Sequence, residues 1–333
     1  MLKDSSLKLL KNQKNLLAFS AGVDSSALFF LLLQDDIKFD IAIVDYGLRE
    51  QSKEEVKYAK ELAIKYNSTC HTFNAKKLDK NFEAKARDIR YDFFEQLIKE
   101  YNYDNLITAH HLGDRFEWML MQFCKGAGCA EMAGMQMMDK KEFYTLIRPL
   151  LHLDKSELLC FLNKNKIKYF QDETNFDETI KRNSFRHNIT NPLLKKHLSG
   201  IKKSFNYIDE DRKELVQDTK IQTIGDFAYF KSSDNKRTDI FAIDKYLKTK
   251  LHMPSASERE LLKTQKTVVL GRKFVVNQEH GYIFIAPYKN QNLYMPKVFK
   301  EECRVLKIEP KLRPYLYTNK NAFSKINELL RTI

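Results

Sequence analysis

Between residues 15 and 110, short apolar runs alternate with longer stretches in which apolar side chains recur every three or four positions. "NLLAF", "FDIAIVDY", "STCHTFNA" and "NLITAH" have the length and the β-branched or aromatic content of strands. Between them, "DSSALFFLLLQ", "KEEVKYAKELAIKY" and "FEAKARDIRYDFFEQLIKEY" carry the helical period. Such alternation predicts crossover units and a parallel sheet covered on both faces. "DKSELLCFLNKNK" and "SGIKKSFNYIDEDRKELVQ" continue the helical period, the second so highly charged that it predicts a bridge to another unit. From about residue 220 the rhythm changes. "FAYFKSSDNKRTDIFAI" and "GRKFVVNQEHGYIFIAPYK" predict short strands and turns, and "SASERELLKT" predicts a helix. The fold class is therefore α/β: a parallel-sheet, Rossmann-like domain over 1–200, a helical linker over 201–220 and a small mixed α+β domain over 221–333.

A length of 333 residues suits two domains better than one. The longest unbroken apolar run, "ALFFLLL", is too short to span a bilayer, and "MLKDSSLKLLKNQK" is charged throughout, so the chain is expected to be cytoplasmic with no membrane partner. Five scattered cysteines with no CxxC pair read as reduced thiols. The net charge of +13 is uneven: residues 1–150 hold 22 Lys+Arg against 22 Asp+Glu, and residues 151–333 hold 35 against 22. A neutral half joined to a basic one suggests chemistry in the first and a polyanion on the second. A homodimer is left open.

The loop "SAGVDSS" (20–26) stands on the first strand-to-helix turn, the preferred phosphate site of an open parallel sheet. Small residues let backbone N–H groups approach an anion, serine hydroxyls donate to it, and the next helix points its positive end there. Asp24 would repel phosphate alone, so its natural task is to hold a Mg²⁺ that bridges to phosphate oxygens. No lysine is present to reach a γ-phosphate, which favours release of pyrophosphate.

The loop resembles the SGGxDS signature of the PP-loop ATP pyrophosphatases, with Ala21 where that pattern has Gly. Further segments are similar, in order, to those of the tRNA(Ile)-lysidine synthetases: "VDYGLR" (44–49), "EAKARDIRY" (83–91), "HHLGDRFEWML" (110–120), "KGAGCAEMAGM", "IRPLL", "DETN" (172–175) and "RNSFR" (182–186). Gly113, Arg115 and Trp118 depart from the pattern H-H-L-D-D-Q-x-E-T, and Tyr46 stands where a His is common. The resemblance implies an adenine-nucleotide α-hydrolase-like fold. It further implies ATP bound by Ser20, Ala21, Gly22, Val23, Asp24 and Ser25, with Mg²⁺ on Asp24, and free L-lysine joined to the wobble cytidine of a tRNA(Ile) with a CAU anticodon. A PP-loop tRNA thiolase is the alternative, but its cysteine motifs are missing.

On "HHLGDRFEWML", His111, Asp114 and Glu117 lie three apart, on one helical face. Two carboxylates aimed into a cleft could hold the ammonium groups of an amino acid or share a metal. Lysine presents one carboxylate and two ammonium groups, a demand met by Asp114, Glu117, Asp172 and Arg182. Asp24, Asp114 and Glu117 form the expected catalytic set, with Asp114 placed to take the proton of the attacking amine. Glu83, Arg87 and Arg90 form a stripe suited to phosphate, or equally a surface ion pair. Arg87, Arg90 and Arg186 are expected on the tRNA.

Overall fold

The computed structural model describes all residues except 48–49, 76–81, 172–180, 217–218, 234, 290–292 and 332–333, and leaves the side chains of 50, 82–84 and 181–182 undescribed. The chain divides into two compact units, Met1–Ile208 and Asp209–Ile333.

The first unit opens with α1 (Asp4–Leu10), β1 (Asn15–Ala18), α2 (Val23–Gln34), β2 (Asp40–Asp45), α3 (Glu50–Lys65) and β3 (Cys70–Asn74). It continues with α4 (Phe82–Tyr101), β4 (Asn105–Ile107), α5 (Leu112–Phe123), α6 (Cys129–Met132), β5 (Met138–Lys140) and β6 (Thr145–Ile147). Then come α7 (Lys155–Lys164), α8 (Lys181–Phe185), a π-helical turn (Arg186–Thr190) and α9 (Asn191–Leu215), which carries a non-helical residue at His197 and crosses the boundary between the units. The four strands read from the apolar runs are all present and pair in parallel. The sheet order is β3-β2-β1-β4-β6-β5. Its far edge corrects the expectation of an all-parallel sheet, because β5 and β6 form an antiparallel hairpin. Strands of three residues leave no period to read, and β6 is defined by its pairing with β4 and β5.

Helix α2 is apolar nearly all round, with Ala27, Leu28, Phe29, Leu31 and Leu32 fully buried. It sits in the largest core cluster of the unit, where Phe29 meets Phe19, Phe39 and Tyr66 at 5.1–5.7 Å between ring centroids. A helix buried on every side belongs in a core and fixes the loop before it. A second cluster, Leu112, Phe116, Leu194 and Phe205, packs α5 against the beginning of α9.

The second unit follows α9 with β7 (Gln222–Ile224), β8 (Phe227–Lys231), α10 (Lys236–Thr249), α11 (Ala256–Thr264), β9 (Thr267–Leu270), β10 (Phe274–Glu279) and β11 (Tyr282–Pro287). Helices α12 (Lys297–Val305), α13 (Arg313–Thr318) and α14 (Lys320–Arg331) complete it. Its sheet, β7-β8-β11-β10-β9, is antiparallel throughout. Alternating residues of β8 face opposite layers: Ala228 and Phe230 join the cluster of α10 and α11, whereas Phe227 and Tyr229 join that of α12–α14. The strands expected within 227–243 need correction after Lys231. Asn235 caps α10 by accepting from the Arg237 N–H, and Ile240, Ile243 and Leu247 then bury one helical face. Among the described residues, no helix is long and apolar enough to cross a membrane.

Candidate functional site

The strand order changes direction at β1, with β2 on one side and β4 on the other, so the loops after β1 and β4 face each other across the switch-point crevice. The first loop is 19–22 and the second is 108–111. His111 Nε2 of the second lies 3.8 Å from Asp24 Oδ2 of the first, bringing the two motifs together.

The first loop is held from several directions. The Ser25 hydroxyl accepts from the Ser20 N–H at 3.2 Å, lies 3.2 Å from the Ser20 hydroxyl and donates to the Gly22 carbonyl at 3.3 Å. The Phe170 N–H donates to the Ala21 carbonyl at 2.9 Å, tying the loop to the chain after α7. Ala21 stands at φ +57°, so it takes the left-handed conformation that its family's glycine would take. Its methyl group carries a strain of roughly 1–2 kcal/mol there. Full burial of that methyl offsets part of it. Gly22 caps α2 without a side chain, so no N-cap side chain covers the first-turn N–H groups. That end of the helix has the character of an anion site.

Asp24 is on this first turn. Its Oδ1 is buried and has no hydrogen-bond partner; the hydroxyls of Ser6, Ser26, Ser68 and Thr190 share that state, but a carboxylate oxygen left so costs more than a hydroxyl. A divalent cation would satisfy it. Among the described residues, no group of three or more His, Cys, Asp and Glu side chains makes a ready metal cage. Mg²⁺ needs none, since it keeps its waters and takes one or two carboxylates plus substrate phosphates. The residues present therefore fit the ion through Asp24.

In the second loop, His111 is the N-cap of α5. Its Nδ1 accepts the Gly113 N–H at 3.0 Å, and Asp114 Oδ2 accepts the His111 N–H at 3.1 Å in return. Because Nδ1 is an acceptor, the neutral ring carries its proton on Nε2, the atom that faces Asp24 Oδ2 and, at 3.6 Å, Asp114 Oδ2. The departure at Gly113 now has a physical reason. A Cβ there would stand 2.6 Å from His111 Cε1, so the imidazole occupies the room a side chain would need.

Asp114 and Glu117 are both gripped by Arg186, whose Nε donates to Glu117 Oε2 at 2.8 Å and whose guanidinium reaches Asp114 Oδ1 at 3.2 Å. Glu117 is buried, and the Arg186 guanidinium is a cation partner for it there. Burial pushes the Asp114 carboxyl up, but the neighbouring His111, His110 and Arg186 and the His111 N–H together hold it well below the ordinary carboxylate range. A carboxylate so reluctant to bind a proton suits an ammonium partner. The proton-accepting role expected from its position asks for the opposite tendency.

The structure thus gathers Asp24, Asp114, Glu117 and Arg186 about one crevice, with His111 between them. Arg186, expected on the tRNA, is engaged internally. Arg87 and Arg90 are exposed on α4, Arg87 with its guanidinium 5.1 Å from the Tyr91 ring. Asp172 lies outside the described residues, and only the backbone of Arg182 is described. His111 was read only as one member of a stripe, and its capping role between two acids follows from the loop. Arg148 was quoted within "IRPLL" but given no role: it follows β6, is buried, donates to the Gln136 carbonyl at 2.8 Å and keeps an unpartnered Nε. The signal for it was an arginine placed just past a parallel strand.

Residues 2–193 match the PP-loop domain family. The chain is 44% identical over 98% of its length to a tRNA(Ile)-lysidine synthase of Campylobacter jejuni strain RM1221, covering 99% of that protein. It is 43% identical to one of Wolinella succinogenes (92% of this chain, 94% of the relative) and 41% identical to one of Helicobacter pylori strain 26695 (93% and 91%). Among solved structures, a U34-tRNA thiolase of Methanococcus maripaludis aligns with a TM-score of 0.52 at 20% identity, over 63% of this chain and 75% of its own, a likeness of fold. Loop geometry, motif order and near full-length identity agree, and the chain belongs to the tRNA(Ile)-lysidine synthase family.

Proposed function

We propose that the protein uses ATP to join free L-lysine to C2 of the wobble cytidine in the CAU anticodon of tRNA(Ile), changing decoding from AUG to AUA. The observation that carries this is the buried, unpartnered Asp24 Oδ1 beside the open start of α2, in a chain of this family. ATP lies on Ser20–Ser25, and its AMP moiety passes to the cytosine O2 with release of pyrophosphate. The lysine amine then attacks C2 and AMP leaves, because a ring carbonyl oxygen must be activated before it can depart. Mg²⁺, when bound to Asp24, supplies charge neutralisation on the triphosphate. The first-turn N–H groups of α2 and the Ser20 and Ser25 hydroxyls orient that triphosphate. Arg186 holds Asp114 and Glu117 in the crevice, where with Asp172 they receive an ammonium group of lysine while Arg182 receives its carboxylate.

The basic second unit supports the tRNA reading. A cavity of about 360 Å³ there is lined by Lys220, Lys231 and Lys325 with Tyr229 and Tyr282, cations beside aromatic rings. Arg87 and Arg90 add exposed charge in the first unit. Such contacts weaken steeply as salt rises. A tRNA-modifying activity of this kind places the protein in the cytoplasm.

The test mixes protein, ATP, Mg²⁺, labelled lysine and a CAU-anticodon tRNA(Ile) transcript. Label entering the RNA, with AMP and pyrophosphate released, supports the reading. Label that enters without ATP, or enters tRNA(Met) equally well, overturns it.

A further inference from the structure

Two of the departures on α5, Arg115 and Trp118, converge on one turn. Arg115 is buried, with its guanidinium 4.4 Å from the Phe205 ring, and donates Nε and Nη2 to the Ala133 carbonyl at 3.1 and 2.9 Å. The turn after α6 is thereby fastened to α5. The next residue, Gly134, has φ +60°, and a Cβ on it would stand 2.6 Å from Trp118 Cδ1 and 3.3 Å from Nε1. Only a glycine permits both that backbone and that contact, so the indole is braced by a bare Cα on an anchored turn.

Braced as it is, Trp118 remains 46% exposed. A single exposed apolar side chain is ordinary, and exposure alone decides nothing. Position adds what exposure lacks. Trp118 follows Asp114 by four residues and His111 by seven, one stripe of α5, and stands about 6 Å along the axis from Asp114. A rigid indole with an open surface, one turn beyond a carboxylate–arginine cluster, suits a flat heterocycle. Lysine has no ring, and the triphosphate's loop lies toward the opposite end of the stripe, past His111.

We propose that Trp118 is a stacking platform for an unpaired base of the RNA substrate, holding the anticodon loop beside the reacting crevice. This rests on the function proposed above. Bases already unstacked in a loop are the ones that proteins read on aromatic side chains.

The chain has one tryptophan, so its fluorescence reports on this residue alone. Titrating the full chain with an RNA hairpin that closes a CAU loop should quench or shift the emission saturably. The same stem as a blunt duplex should not, nor should ATP alone. Trp118→Ala should raise KM for tRNA about tenfold, with KM for ATP and lysine unchanged, and Trp118→Phe should restore most of the loss. Gly134→Ala should shrink the fluorescence response by displacing the indole. Unchanged emission while a gel shift shows the hairpin bound overturns the proposal, as does equal quenching by ATP alone. A loss in Trp118→Ala confined to kcat also overturns it. Emission reads binding alone, so it decides the platform even where lysine incorporation, which decides the function, fails.

Discussion

Asp24 and Asp239 are both aspartates in the first turn of a helix, and they are treated in opposite ways. Asp239, at the start of α10, accepts from the Ser232 hydroxyl at 2.6 Å and from the Ser233 N–H and hydroxyl at 2.9 Å each. Asp24, at the start of α2, keeps one buried oxygen with no partner. A carboxylate near a helix N-terminus is favourable in either place. What differs is whether the fold completes its hydrogen bonds or leaves them for a ligand. The comparison teaches that two carboxylates in like helical positions can differ in whether the fold completes their hydrogen bonds, and under the proposed function the unfilled one is where Mg²⁺ would bind.

The largest expected effect follows directly. Asp24→Ala should cut lysine incorporation by roughly 10²–10³-fold or more, while thermal unfolding stays within about 1 kcal/mol of the parent. A variant that instead unfolds would make Asp24 a structural acid like Asp239. Arg186→Ala should destabilise the first unit by about 3 kcal/mol, toward the lower end for a broken buried pair, because the guanidinium is 25% exposed. It also bears on pH. The folded Asp114 carboxyl sits below its ordinary 3.8, so its stabilisation is present above that value and is lost as pH falls through it toward the folded value. Removing Arg186 lets that carboxyl rise, so the loss of stability from about pH 5 downward should be shallower in the variant. Urea midpoints measured along that range check this, and identical acid slopes would contradict it.

Asp239→Ala, the mirror of the first substitution, should cost about 2–3 kcal/mol in the second unit by stranding its serine partners. Nucleotide binding per folded molecule should hold, and calorimetry with an ATP titration tests both halves. Smallest of all is Ala21→Gly. Relief of left-handed strain is opposed by a lost buried methyl and a freer unfolded chain, so stability should move by less than about 1 kcal/mol. A larger drop in denaturant midpoint would show that the methyl, and not the loop path, is what the protein keeps.

Much of this was legible beforehand because it is local. The four parallel strands announce themselves as apolar runs, and α2 as an apolar run of helical length. The edge hairpin of β5 and β6 was not legible, since pairing with a neighbour defines strands so short. Nor was α10 seen beginning at Lys236, because the apolar "FAYF" before it and the polar segment between them resemble a strand and its turn. On α5 the reading placed His111, Asp114 and Glu117 together correctly, yet it could not show Arg186 arriving from a π-helical turn about seventy residues on to hold both acids.

By itself, then, the order of residues determined the four parallel strands and α2, the loop that follows the first strand and the common stretch that carries His111, Asp114 and Glu117. Those are consequences of side-chain period and backbone preference over a few neighbouring positions. Tertiary structure alone decided that the Ala21 carbonyl is tied to the Phe170 N–H, that Asp24 meets His111 and that Arg186 reaches both Asp114 and Glu117. Each depends on atoms remote in sequence meeting within a few ångströms, where burial and Coulomb terms outweigh local preference.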